Sequence, residues 1–184
     1  MRLKSFSYLI ATGLFSAFLI AKASLAQTPV FTGEINSQNI NIRADSTTEA
    51  EIICQINKGT KVEVISELYE WYKIRLPKAA PAFIKKEFLK CVNYENINSP
   101  GILPLKTGKD CISAVAIKDR INIRLKSDES SPVIGRLNEN EVVNIVRPAG
   151  NWYMIEPIPN SFGWVNKKFV NKVQVEIKTD KKRR

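Results

Sequence analysis

The side chains whose type and placement suit recognition are two tryptophans, Trp71 and Trp152, and two arginines, Arg43 and Arg124. Each tryptophan opens a Trp-Tyr-x-Ile run, Trp71-Tyr72-Lys73-Ile74 and Trp152-Tyr153-Met154-Ile155. If such a run is a strand, alternation turns Ile74 and Tyr72 to one face and Trp71, Lys73 and Arg75 to the other. With Ile74 in the core, Trp71 is left to line a surface groove, and the same parity applies to Trp152. Arg43 and Arg124 each follow an apolar-polar-apolar strand, where a guanidinium can grip a carboxylate with two parallel hydrogen bonds; an ion pair with Asp45 or Glu51 is the competing role for Arg43.

Reaction chemistry is poorly supplied. The chain has no histidine, which removes His-ligated zinc and the nucleophilic dyads and triads that need an imidazole. Glu63, Glu67 and Glu70 crowd one region, but like charges on a solvated hairpin are ordinary and no apolar pocket is evident to raise a carboxyl pKa. We expect no enzyme activity, no cofactor and no metal.

Of the three cysteines, Cys54, Cys91 and Cys111, one pair and one leftover is the simplest arithmetic in an oxidising compartment. A Cys91–Cys111 bridge would close a loop of about 20 residues, worth ~3 kcal/mol on the chain-entropy account; Cys54 with Cys91 is the alternative.

That compartment is suggested by residues 1–26. Arg2 and Lys4 precede an apolar run from Tyr8 to Ala21, and Ser24-Leu25-Ala26 offers small residues for cleavage after Ala26. The run, about 14 residues, falls short of the ~20 needed to span a bilayer. A secreted or periplasmic product is expected.

The net charge of +10 loses three bases and no acid with the signal, leaving +7. Residues 178–184 hold five bases and one acid, +4 of that +7, within a basic tail, 176–184, expected to be disordered and able to attract anionic lipid or polymer. A nearly balanced body does not make a nucleic-acid face.

The elements that position these residues emerge on sliding the chain over itself by 81 positions. Ile40-Asn41-Ile42-Arg43 falls on Ile121-Asn122-Ile123-Arg124, Trp71-Tyr72 on Trp152-Tyr153, and Lys86, Phe88 and Val92 on Lys167, Phe169 and Val173, about 14 identities in 60 ungapped positions. Such a repeat fixes the folding unit. We expect a signal at 1–26, an arm at 27–32, one module at 33–92, a Pro/Gly-bearing linker at 93–110, a second module at 111–175 and the tail.

Within each module the period is that of short strands, at Ile40–Arg43, Thr60–Ile65 and Trp71–Arg75 in the first copy. Loops at Asp45–Thr48 and Lys126–Pro132 separate strands. Gly59 and its counterpart Asn140 fall where a tight turn needs positive φ. The predicted core is Ile42, Ile53, Ile56, Val62, Val64, Ile74 and Ile84, with Ile123, Ile134, Leu137, Val143, Ile145, Ile155 and Val165 in the second copy. A module of 60 residues buries only about 60% of its unfolded surface, so its sheet must curl into a small barrel with no room inside for a cofactor. The predicted fold class is all-β, two tandem small barrels.

The pattern resembles the bacterial SH3 (SH3b) domain. In the second copy it reads Asn122-Ile123-Arg124, the Ser/Pro loop Ser127–Pro132, Val133-Ile134, the alternating strand Val142–Val146, Trp152-Tyr153-Met154-Ile155, and Gly163-Trp164-Val165 followed by Phe169. The first copy fits at Asn41-Ile42-Arg43, Gly59 and Trp71–Ile74, but Ala82-Phe83-Ile84 replaces the Gly-Trp-Val triplet. The resemblance implies a five-stranded barrel used for recognition, often of cell-wall peptide or of envelope proteins, with no activity of its own. By position in eukaryotic SH3 relatives it groups Trp71 with Phe88, and Trp152 with Trp164 and Phe169, as groove residues. Asn166 stands where that relative's terminal segment has proline. The expected function is non-catalytic binding of a cell-wall peptide or glycan by a monomer; a protein-interaction adaptor gripping extended or Pro-rich segments is the alternative. Glu67, Tyr69 and Glu70 face Pro148, Gly150 and Asn151 in equivalent loops, so the copies need not share a ligand.

Overall fold

A computed structural model describes residues 30–97 and 108–173; the signal and the basic tail lie outside the described residues. The described chain is all-β. The first copy contributes β1 (Phe31–Ile35), β2 (Ile40–Arg43), β3 (Ile52–Ile56), β4 (Lys61–Leu68), β5 (Trp71–Arg75), β6 (Phe83–Lys85) and β7 (Leu89–Ile97). The second contributes β8 (Gly108–Ala116), β9 (Ile121–Arg124), β10 (Val133–Leu137), β11 (Val142–Ala149), β12 (Trp152–Ile155), β13 (Phe162–Asn166) and β14 (Val170–Lys172). A single 3-10 turn, Lys86–Phe88 or Lys167–Phe169, joins the last two strands of each copy.

These strands form two seven-stranded antiparallel sheets, and neither sheet is built from one copy. The first runs β14-β1-β4-β5-β13-β2-β3 and the second β10-β9-β6-β12-β11-β8-β7. Each copy therefore lends its final two strands to the other. The exchange is reciprocal in register: Tyr72 pairs with Val165 and Lys73 with Trp164 in the first sheet, and Tyr153 with Ile84 and Met154 with Phe83 in the second, the same pairs displaced by 81.

The sequence boundaries at 33–92 and 111–175 thus follow the repeat, while the sheets cut across it. The expected linker differs as well. Residues 93–97 and 108–110 continue β7 and β8, which pair from Leu89↔Ala116 to Ile97↔Gly108. These parts of the expected linker are paired strands of the second sheet, and the pairing satisfies backbone donors and acceptors that an open linker would leave to water. Cys91 and Cys111 are bonded across the two strands, with Cα atoms 5.8 Å apart.

The crossing segments explain why the chain can exchange. Leu76–Ala82 carries Pro77 and Pro81, and the equivalent stretch carries Pro157 and Pro159. Proline fixes φ and holds its predecessor extended, which favours a strand that passes on to the neighbouring barrel over one that doubles back. The two crossings are tied to each other and to their hosts: Leu76 N donates to Ser161 O at 3.0 Å, and Ile155 N to Ala82 O at 2.9 Å.

The predicted core residues are buried, except that Ile145 is half-buried. The exchange relocates two of them: Ile84 lies in the second barrel and Val165 in the first. The interior is one apolar cluster reaching through both barrels. Gly59 and Asn140 both take positive φ, 85° and 66°.

Cys54 is the free cysteine of the described chain. Burial pushes its thiol from 9.0 up to about 11, because a thiolate is disfavoured away from water. Two pH units fewer of thiolate predict alkylation by iodoacetamide at pH 8 roughly 100-fold slower than for an exposed cysteine, rising tenfold per pH unit towards 11. Fast labelling at pH 8 would contradict this environment.

Candidate functional site

Two grooves lie at equivalent places on the two barrels, and the exchange makes each of them composite. The first, about 180 Å³, sets Arg43 and Trp71 of the first copy against Asn166, Lys168 and Phe169 of the second. The second, about 360 Å³, sets Arg124 and Trp152 of the second copy against Lys85 and Phe88 of the first. The aromatic partners are therefore crossed relative to expectation. Phe169 stands with Trp71, and Phe88 with Trp152, because the 3-10 turn carrying each phenylalanine travels with the exchanged strands.

The strand parity holds in the first copy, where Tyr72 and Ile74 are buried and Trp71 is partly exposed, but not in β12, where Trp152 is buried and Tyr153 half-buried. Trp152 is more deeply set, 9% exposed, beside Lys85, with which it pairs across β12 and β6. Trp164 belongs to neither groove. It sits on β13 in the first sheet opposite Lys73, whereas Trp152 lies on β12 in the second.

Arg43 and Arg124 have a task the sequence did not disclose. Arg43 Nη1 donates to Ala50 O at 2.7 Å and Arg124 Nη1 to Ser131 O at 2.7 Å, positions again 81 apart. Each arginine ties down the loop after its strand, in place of the ion pair considered for Arg43 with Asp45 or Glu51, and contributes its remaining surface to the groove. Glu51 instead meets Lys126 of the other copy.

Electrostatics differ between the grooves. The second has Lys85, Lys118, Arg120 and Arg124 on its walls with Asp119 and Glu129. Lys85 Nζ is bonded to Glu129 and lies 3.4 Å from Glu87. The hydrogen bond between Lys85 and Glu129 raises the lysine above its ordinary value and holds the glutamate below its own. Lys118 Nζ sits 5.4 Å from the centroid of Phe88, in cation–π range. Asp119 is spent on the backbone, accepting from Glu139 N at 3.1 Å.

Lys85, Lys118 and Arg120 were not singled out from the sequence. The signal available was their contrast under the 81-residue shift: Lys85 replaces Asn166, and Arg120 replaces Asn39 at a position of positive φ in both copies, 55° each.

The Lys85–Glu129 pair yields a prediction. Glu129, its pKa held below the ordinary 4.5, favours the folded pair above pH 4.5, and that contribution is lost as pH falls through the lower folded value; the lysine's is lost only as pH rises past 10.5. Trp152 fluorescence is expected to stay flat between those limits and to change on the acid side below 4.5. Glu129→Gln should abolish that acid step; an unaltered step in the variant would assign it elsewhere.

Among the described residues no group of three or more Cys, Asp or Glu could hold a metal ion, and no helix is long and apolar enough to cross a membrane.

Residues 38–90 match the family model of the bacterial SH3 domain. A stretch of 125 residues, 68% of the chain, is 22% identical to "Putative N-acetylmuramoyl-L-alanine amidase YrvJ" of Bacillus subtilis (strain 168). The chain spans 23% of that protein's length. The family match runs from β2 into β7, so the sequence unit crosses from one sheet to the other. The stretch that matches the bacterial SH3 domain, residues 38–90, is completed in space by strands of the second copy.

Proposed function

We propose that the chain is a non-catalytic binding protein of the cell envelope whose two composite grooves hold extended peptide or glycan segments of the wall. The observation that carries this reading is the twofold recurrence, in separate places, of a tryptophan facing a phenylalanine beside a loop-clamping arginine. An aromatic pair flanked by polar and charged side chains suits a ligand held by stacking together with hydrogen bonds. The amidase similarity supports a wall ligand, and the Cys91–Cys111 bridge supports an oxidising location. Two grooves on one chain give avidity towards a polymer that repeats its epitope.

Pull-down with purified sacculi, at low salt and at high salt, tests this. The wild-type chain is expected to sediment with sacculi in both conditions, and the Trp71→Ala/Trp152→Ala double variant to remain in solution at high salt. Binding that vanishes with salt alone would assign the attraction to charge and not to the aromatic walls of the grooves. No sedimentation, together with crosslinking in cells to one dominant protein, would favour an envelope adaptor.

A further inference from the structure

A third cleft, of about 470 Å³, lies where the second copy's edge strand β10 approaches β13 in the first sheet. Its useful walls are Trp164 and Phe162 on β13, Lys73 on β5, Arg136 and Asn138 at β10, and Asn160. It exists because of the exchange: β13 sits in the first sheet, while Ser161 just before it bridges to Gly135 of β10.

Three features define what it would accept. Trp164 and Phe162 are two residues apart on one strand, and both rings turn to the face opposite the buried Gly163 and Val165, giving a stacking surface. Lys73 Nζ lies 4.6 Å from the centroid of Phe162 and 6.0 Å from that of Trp164, and Arg136 is exposed on β10 with Nε 3.4 Å from Asn122 Oδ1. No carboxylate lines the cleft among the described residues, so both cations are available to a ligand's negative charge. Asn160 adds an amide able to donate and accept, and Asn138, whose Nδ2 donates to Glu141 Oε1 at 3.4 Å, adds an amide oxygen, both of use to vicinal hydroxyls. The volume is that of a small-molecule site.

We propose that this cleft binds a pyranose carrying a carboxylate, its apolar ring face against Trp164 and its carboxylate between Lys73 and Arg136. A neutral sugar would leave the two cations unused. A peptide carboxylate would leave the aromatic surface unused. The site is separate from the two grooves, so it can fail while they stand, and the reverse.

The test uses the full chain with nitrogen-15-labelled indoles, titrated with methyl glucuronide and with methyl glucoside, which differ in the carboxylate alone. The Trp164 indole signal is expected to shift with the glucuronide at an apparent affinity at least about fivefold above that for the glucoside, with the Trp71 and Trp152 signals unmoved. Arg136→Gln, at an exposed position that leaves the fold intact, should erase the preference, and Trp164→Ala should abolish glucuronide binding followed by calorimetry. Equal response to both sugars, no response at Trp164, or an unaltered preference in Arg136→Gln would overturn the proposal.

Discussion

Gly163→Ala is expected to destabilise the protein by about 1–3 kcal/mol, the usual cost of forcing a methyl into a filled core, read as a lowered urea midpoint. A Cβ at Gly163 would lie 2.5 Å from Ile42 Cγ2, 2.9 Å from Leu76 Cδ2 and 3.2 Å from Ile53 Cδ1. All three neighbours belong to the first copy, whereas the glycine belongs to the second. Its counterpart, Ala82, is fully buried in the second barrel, where the positions equivalent to Ile42, Leu76 and Ile53 are Ile123, Pro157 and Ile134. The one change among them is Leu76 to Pro157, a smaller and differently shaped neighbour.

Without exchange, Ala82 would occupy the place Gly163 holds, against Leu76, and its methyl would meet those same contacts. The glycine is matched to the leucine and the alanine to the proline only when the strands cross. Replacing Leu76 with alanine in the Gly163→Ala background should therefore recover part of the loss attributable to crowding, although Leu76→Ala alone costs stability by opening a cavity. Strict additivity of the two changes would contradict the contact.

The second large effect concerns binding. Phe169→Ala is expected to weaken whatever the Trp71 groove holds by roughly 10- to 100-fold, the scale at which a central aromatic anchor counts, and Phe88→Ala to do the same at the Trp152 groove. With sacculus fragments as titrant, a double-mutant cycle should show coupling between Trp71 and Phe169 and between Trp152 and Phe88. Coupling between Trp71 and Phe88, partners within one sequence repeat, would reverse the assignment of the grooves.

Much of the local structure is legible in the sequence. Alternation placed Tyr72 and Ile74 inward and Trp71 outward, and the two turn positions, Gly59 and Asn140, announced their positive φ. The pairing of the last strands was not legible from pattern, for a physical reason. Copies related by an 81-residue shift present nearly the same apolar face, so β6 and β13 satisfy either barrel's hydrogen bonds and hydrophobic period almost equally. What separates the arrangements is the direction of the proline-bearing crossings and a few side chains that differ between copies, and domain exchange is decided by such small terms.

Two of those differences were in the sequence as pairs. Leu76 with Gly163 against Pro157 with Ala82 is one. Lys85 with Glu129 is the other, since their equivalents are Asn166 and Thr48, both uncharged and both at the first groove. In an unexchanged chain Lys85 would stand by Thr48 and Asn166 by Glu129, and the ion pair would be lost. Reading the repeat as two self-contained modules hid both pairs, and it also put Phe88, Phe169 and Trp164 in the wrong company. Trp164 was misgrouped because β13 presents it on the first sheet, beside Lys73, while its sequence neighbours suggested the second.

The reciprocal crossing of β6 and β13 is tested most directly by cross-strand backbone nuclear Overhauser contacts in the labelled chain. Tyr72 is expected to connect to Val165 and Tyr153 to Ile84. Connections from Tyr72 to Ile84 and from Tyr153 to Val165 would contradict it.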